Sequence, residues 1–510
     1  MSITSLISFS SLGSFLLFLF PILGIFSLWF YPQNSLIIQG YEIKKIGENY
    51  IKIGLFFTLL NLLNTVILFN LYDTNISNLQ FQLTLFGKLI GGLDGISLWM
   101  ILLVNIIIPV TILMAWKEIK LDNNPFNSAS KMLKNYIFLI LLVNLASIIV
   151  FFVSDILLFY IAFEAILIPM YLLIGFYGSR NKRIENAQNT FFLYTLFGSL
   201  FMLLAIITIY IQTGSTDYQT ILTLPISNEI QGFLFLGFFI ALAIKTPSFP
   251  FHGWLPLAHG ESSTGASVIL ASILLKLATY GILRFILPLF PYASNYFLPL
   301  ILTLAILSII YSCISALSLI DIKSIVAYSS IAHKNVGMMG LFSNDINGIT
   351  GAFIGSISHG FISGGLFIII GMLYNRYGTK NINYYRGLVL FMPTFTFFFF
   401  IFTLSNLGFP FTMSFIGENL LFFSTINISP LITIFITSVS ILLPIYFIYF
   451  YQRISYGKLS PYLLTLYQDL NIKEINLLLP LILLNTIFGL FPYMVFETTM
   501  IPFLNVLNAN

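Results

Sequence analysis

Charge and sulfur are what this chain has least of. Of its 510 residues only 8% are charged, against about 25% in ordinary soluble domains. The hydrated outer surface of a water-soluble protein cannot be made from so few. One cysteine, Cys313, excludes an internal disulfide and any cysteine-rich metal site. A formal net charge of +4 is too small for a nucleic-acid-binding patch. Neither a Walker A loop nor a dinucleotide fingerprint occurs, so no segment reads as a site for NADH, flavin, haem or an iron–sulfur cluster. The first 43 residues contain no Lys or Arg, hence neither a signal n-region nor a mitochondrial presequence. Leu6 to Phe30 therefore reads as a first retained helix. Abundant Ile, Phe, Asn and Tyr with few Arg and Ala points to an AT-rich coding genome, and an organelle-encoded protein needs no presequence.

Apolar length is what the chain does have: 58% of it is hydrophobic. Spans of about 20 apolar residues predict an all-α integral membrane protein with about 14 transmembrane helices. They run approximately 5–29, 53–72, 96–115, 135–153, 155–177, 188–212, 232–251, 265–287, 296–316, 324–341, 349–374, 392–425, 431–451 and 478–497. Two of them should be broken. Pro247 and Pro250 interrupt the seventh, and Gly408-Phe409-Pro410 interrupts the twelfth, which is too long for one straight crossing. Interruptions at matching places predict two inverted five-helix repeats, over 135–287 and 296–451. A three-helix segment at 1–115 precedes them. Residues 452–510 follow, as an interfacial connection and a C-terminal helix. Seventeen of the 22 Lys and Arg fall in odd-numbered loops and only Lys88 in an even one. The positive-inside rule then puts the odd loops in the cytoplasm or matrix and both termini on the opposite face.

The remaining cations lie inside helices, where charge is costly and commonly functional. Lys245 ends the apolar run from Gly232, directly before the proline break. Glu164 lies mid-helix in Phe159-Tyr160-Ile161-Ala162-Phe163-Glu164-Ala165. Each needs a counter-charge and each is the other's obvious partner, either as a titrating pair or as a static ion pair that fixes packing. Lys276 stands at the midpoint of the eighth helix, the longest reach from either surface for a snorkelling side chain. Glu418 follows the second break, as a proton carrier or as a cap on the second half-helix. All four histidines lie between 252 and 359. His333 and His359, among Ser329, Ser330, Ser356, Ser358 and Ser363, read as a hydrated relay. His252 and His259 read equally as packing residues. No helical i,i+4 histidine pair or carboxylate cluster supports a metal.

The run Lys245-Thr246-Pro247-Ser248-Phe249-Pro250-Phe251-His252-Gly253-Trp254-Leu255-Pro256-Leu257-Ala258-His259, with Leu274-Leu275-Lys276 and Tyr280-Gly281-Ile282-Leu283-Arg284, resembles the antiporter-like subunits of proton-pumping NADH:quinone oxidoreductase, respiratory complex I. Residues 159–169 and the run Asp321 to His333 resemble its subunit-4 branch, and the similarity covers about 90–450. The resemblance implies proton transfer by Glu164 and Lys245 as a coupled pair, Lys276 as central carrier, His333 and His359 along the connection and Glu418 as terminal carrier. A related cation/proton antiporter would share these charges. It further implies that this chain holds no cofactor, that FMN, iron–sulfur clusters and ubiquinone belong to the wider complex, and that neighbouring antiporter-like subunits and the lipid bilayer are its partners, with no nucleic acid. The location implied is the mitochondrial inner membrane, with both termini facing the intermembrane space. The chain departs from the family pattern twice: His259-Gly260-Glu261-Ser262-Ser263 stands where a Glu-Ala-Pro run is usual, and Lys334 stands where an uncharged residue is usual.

Overall fold

Backbone polar groups inside a bilayer must be satisfied within the protein, which leaves helices as the way for this chain to cross. The computed structural model describes residues 3–31, 40–85, 88–118, 128–178, 181–224, 226–458 and 468–508. Helices α1 (Ile3–Phe30) and α2 (Gly40–Leu71) lead into an antiparallel hairpin of β1 (Gln80–Leu85) and β2 (Lys88–Leu93). Next come α3 (Gly95–Glu118), α4 (Ser128–Phe152), α5 (Ile156–Ala165), α6 (Leu167–Tyr177), α7 (Asn181–Thr213), α8 (Tyr218–Thr223) and α9 (Asn228–Lys245). After the first break stands α10 (Trp254–Glu261). A continuous span then runs through α11 (Thr264–Ile269), a π-turn at Leu270–Leu274, α12 (Leu275–Gly281), a second π-turn at Ile282–Ile286 and α13 (Leu287–Leu289). The short α14 (Pro291–Tyr296) leads to α15 (Leu298–Ser318), α16 (Ile322–Leu341) and α17 (Ile346–Tyr377). Last are α18 (Pro393–Asn406), α19 (Met413–Ile428), α20 (Pro430–Ser455), α21 (Ile472–Leu490) and α22 (Tyr493–Asn508).

Among the described residues, twelve helices are long and apolar enough to span a bilayer, and Pro393–Asn406 and Tyr493–Leu507 are shorter apolar helices. Both expected breaks are present, at 246–253 and 407–412. Other expectations need correction. The hairpin at 80–93 is strand, not helix or loop. The fifth predicted helix is interrupted at Ile166, because Pro169 has no N–H to offer the Ala165 carbonyl. The last predicted helix, 478–497, is two helices that meet at Phe491-Pro492, where the proline disfavours a helical Phe491. Within 452–477, α20 continues to Ser455 and α21 starts from an Asn471–Glu474 capping box. Residues 459–467 of the expected interfacial connection lie outside the described residues.

Two spans are enclosed by protein almost throughout, Thr264–Leu289 and Ile346–Tyr377. They pack together at the centre, with α16 and α19 also against α17, and α9 against α12. The outer helices turn apolar side chains such as Ile211, Phe233 and Leu431 outward. This inverts the soluble pattern: polar groups face inward around the two central spans, and the outside is hydrocarbon-like.

Candidate functional site

The first break is built by side chains that satisfy what the prolines leave open. Ser248 Oγ donates to the Ala243 carbonyl at 3.1 Å, and Trp254 Nε1 to the Ile244 carbonyl at 3.0 Å. Phe249 N–H donates to Ser308 Oγ at 2.7 Å. The first two contacts help cover C-terminal carbonyls of α9, and the third satisfies an N–H of the break itself. Lys245 is the last residue of α9, where the helix dipole favours a cation. It is 2% exposed, and its Nζ has no hydrogen-bond partner among the described residues. Instead Nζ lies 4.1 Å from the centroid of the Phe163 ring. A desolvated cation–π contact is worth about 2 kcal/mol. The neighbour of Phe163 is Glu164, partly exposed, with an enclosed Oε1 that lacks a partner. Glu164 and Lys245 form no ion pair within 4.0 Å among the described salt bridges. The expected pair is thus not joined by an ion pair among the described residues, and the residue before Glu164, Phe163, lies against the Lys245 ammonium.

The second half of the site is a line of groups. Lys276, on α12, is 0% exposed. A π-turn opens the backbone ladder just before it, and Nζ donates to the Ala271 carbonyl of that turn at 2.6 Å. Nζ also lies 3.3 Å from His359 Nδ1 on α17. The His359 ring centroid is 5.9 Å from that of His333 on α16. His333 Nδ1 in turn lies 3.5 Å from Glu418 Oε1 on α19. Glycine permits this convergence: a Cβ on Gly351 of α17 would stand 2.9 Å from the Gly417 carbonyl, and one on Gly417 of α19 would stand 2.9 Å from Gly355 N. Glu418 sits in the second turn of α19, with Oε1 toward His333 and Oε2 beside Gly408 of the break.

His333, His359 and Glu418 line a cavity of about 60 Å³ together with Thr246, Thr279, Lys334 and Asn406. That is room for a handful of water molecules at roughly 10–15 Å³ each. Lys334 does not snorkel. It is buried, and its Nζ donates to Thr279 Oγ at 3.5 Å. Thr279 is a site residue that sequence reasoning passed over, although its i+3 spacing from Lys276 puts both on one helix face.

Other charged residues are anchors. Lys323 and Lys380, counted as loop cations by the orientation rule, are buried. Lys323 Nζ donates to the Ser262 carbonyl at 2.8 Å, and Lys380 to the Gly260 carbonyl. Lys380 also lies 3.4 Å from Glu261, so the unusual Gly260-Glu261-Ser262 stretch is tied down by both lysines. Arg284 pairs with Asp94 at 2.5 Å and joins the second π-turn to the start of α3. His259 is fully buried and stacked on Phe367, with ring centroids 4.4 Å apart. His252 packs against Phe249 and Tyr311. No group of three His, Cys, Asp or Glu among the described residues could hold a metal ion.

Residues 153–444 match the family model described as NADH:quinone oxidoreductase/Mrp antiporter, transmembrane. The chain is 42% identical over 478 residues to NADH-ubiquinone oxidoreductase chain 4 of Chondrus crispus, covering 92% of this chain and 93% of that one. Its structure resembles a chain of respiratory complex I from Thermus thermophilus with a TM-score of 0.82 at 28% identity, over 98% of this chain and 99% of the other. A chain of the Mrp complex from Dietzia sp. gives a TM-score of 0.78 at 18% identity, over 98% of each, a likeness of fold alone.

Proposed function

Because the chain belongs to the family of antiporter-like membrane subunits of NADH:ubiquinone oxidoreductase, we propose that its proton path runs from Glu164 and Lys245 through Lys276, His359 and His333 to Glu418. A member of this family is a proton-pumping subunit of the H⁺-translocating enzyme, whose redox cofactors lie in other subunits. The open question for this chain is which residues carry the proton. The observation that carries our reading is the succession of Lys276, His359, His333 and Glu418, at 3.3 Å, 5.9 Å between rings and 3.5 Å, with the two histidines lining one cavity.

In this scheme quinone reduction elsewhere in the complex alters the field at Glu164 and Lys245. Lys245 then passes its proton toward Lys276. Nδ1 of His359 takes the next proton from Lys276 Nζ, and the two imidazoles deliver it to the Glu418 carboxylate. The Phe163 ring holds the Lys245 ammonium without neutralising it, so Glu164 can act on it from a distance. We further place the chain in the mitochondrial inner membrane, with both termini toward the intermembrane space, beside neighbouring antiporter-like subunits. The two broken helices, α9–α10 and α18–α19, are assigned to equivalent places in two inverted repeats at 135–287 and 296–451. A cation/proton antiporter would use the same buried charges, but the 42% identity over nearly the whole chain is to a complex I subunit.

The test is Lys276→Met in the intact complex. Assembly should persist on a native gel with in-gel NADH oxidation while proton pumping is lost. A normal proton yield in that variant would remove Lys276 from the path, and the proposed relay with it.

A further inference from the structure

Lys334 and His333 are neighbours on α16, and successive helical residues point about 100° apart. His333 therefore faces α19 and Glu418, whereas Lys334 faces α12. Lys334 is 5% exposed, and among the described residues its hydrogen-bond partner is Thr279, at 3.5 Å. No carboxylate lies within 4.0 Å of it among the described salt bridges. A buried lysine with one weak hydroxyl partner is poorly served as an anchor. Lys323 and Lys380, by comparison, reach main-chain carbonyls.

Its position is more informative. Thr279 is one turn beyond Lys276 on α12, so Lys334 reaches the helix face that carries the central lysine. The cavity lined by Lys334 is also lined by Thr246, the residue after Lys245. No hydrogen bond joins Lys245 to Lys276 directly among the described residues, because Lys245 Nζ has no such partner at all. Lys334 stands beside the gap.

We propose that Lys334 is an additional proton carrier, exchanging with Lys276 through the Thr279 hydroxyl and water in the cavity that both Thr279 and His359 line, and linking it to Thr246 on the same cavity. The balance is simple. One N–H bond of the Lys334 ammonium breaks as its proton joins Thr279 Oγ, and the hydroxyl proton of Thr279 passes by way of water in the cavity that Thr279 and His359 both line to the neutral amine of Lys276, which lies beside His359. The hydroxyl ends as it began, and charge moves from one lysine to the other. Two buried ammonium groups acting on one another disfavour double protonation. A proton arriving at Lys334 therefore drives Lys276 to give up its own to His359. The groups facing this exchange are Lys276 on α12, His333 on α16, His359 on α17 and Glu418 on α19.

The inference rests on the relay proposed above, and the experiment separates the two. Lys334→Met, Lys334→Arg and Lys334→His are compared with Lys276→Met in the intact complex, in native membranes. Assembly, NADH:ubiquinone turnover and proton yield are measured for each. The expectation is normal assembly with coupled turnover reduced severalfold in Lys334→Met. Lys334→Arg should fall equally, since a guanidinium keeps its proton, and Lys334→His should recover part of the loss. Full turnover and yield in Lys334→Met overturns the proposal. So does rescue by Arg, which would reduce Lys334 to a fixed positive charge. Should Lys334→Met fail to assemble, the assembled Arg and His variants decide: His above Arg supports the carrier, and Arg at or above His overturns it. Normal pumping by Lys276→Met would instead sink the underlying relay.

Discussion

His359 turns Nδ1 toward the ammonium of Lys276 at 3.3 Å, in a pocket where both side chains are buried. When Lys276 carries its proton the ammonium can only donate, so Nδ1 then accepts and the ring proton is on Nε2. Nε2 has no hydrogen-bond partner among the described residues. The imidazole is therefore held on one side and free on the other. That is a suitable state for a group that takes a proton from one neighbour and turns it over to the next.

His359→Gln is the direct test of that state. Glutamine can still accept from Lys276, so packing and assembly should be kept. It cannot carry a proton, so coupled turnover should fall by about 10²-fold or more, the usual size of a lost acid–base step. Proton yield measured alongside NADH oxidation checks it. Retained pumping would show that protons bypass His359.

Gly408→Ala should disturb the far end of the line. Gly408 has φ +67°, where a side chain is strained by about 1–2 kcal/mol. An added Cβ would also meet the Glu418 carboxylate. The carboxylate must shift, which disturbs its 3.5 Å approach to His333. We expect a partial loss of pumping with modest loss of thermal stability. The same stability loss with unchanged pumping would mean that the His333–Glu418 contact is not part of the path.

Much of this was legible in the sequence for a physical reason: a charge within an apolar run, or a proline within a helix, is expensive wherever the chain folds. Lys245 with Pro247 and Pro250, Lys276, and Gly408-Phe409-Pro410 before Glu418 all announce themselves in that way. Contacts between distant segments do not. Nothing local says that His333 meets Glu418 rather than a cap, or that Phe163 occupies the space beside Lys245. Arg284 gives no hint that Asp94, nearly two hundred residues away, is its partner. Counting basic residues by loop treats Lys323 and Lys380 as solvated, although both are buried anchors. The π-turns around Lys276 leave no composition signal at all, since Leu270–Leu274 reads as ordinary apolar helix.

Asp469 offers a pH-dependent test away from the path. Its carboxylate accepts the Thr394 and Phe395 N–H groups at 3.0 Å each and so caps the start of α18 from a distant loop. Burial alone would raise its pKa, but these bonds and that from Leu470 N–H hold it below the usual carboxylate range. A lowered folded-state pKa contributes stability that is present above the unfolded value, about 3.9, and lost as pH falls through the folded value. Asp469→Asn should therefore lower thermal stability at neutral pH, and the difference from the parent should shrink at acid pH. A difference independent of pH would mean that the charge does not matter to the cap.

The last prediction concerns how Glu164 acts on Lys245 without touching it. If Glu164 works through its charge, Glu164→Gln removes that charge while leaving shape and assembly, and coupled turnover should fall sharply. Phe163→Leu leaves the charge but removes the ring quadrupole under the Lys245 ammonium, a change of roughly 0.5–2 kcal/mol in how well that cation is held. It should shift turnover by about 2- to 30-fold, with Glu164 still required. In the double variant the two losses should interact, because both act on the same ammonium, whereas independent sites would add. Turnover and assembled content of the four proteins settle the matter. Loss of protein without loss of specific turnover would make Glu164 and Lys245 a packing device, and strictly additive losses would mean that the ring and the carboxylate address different steps.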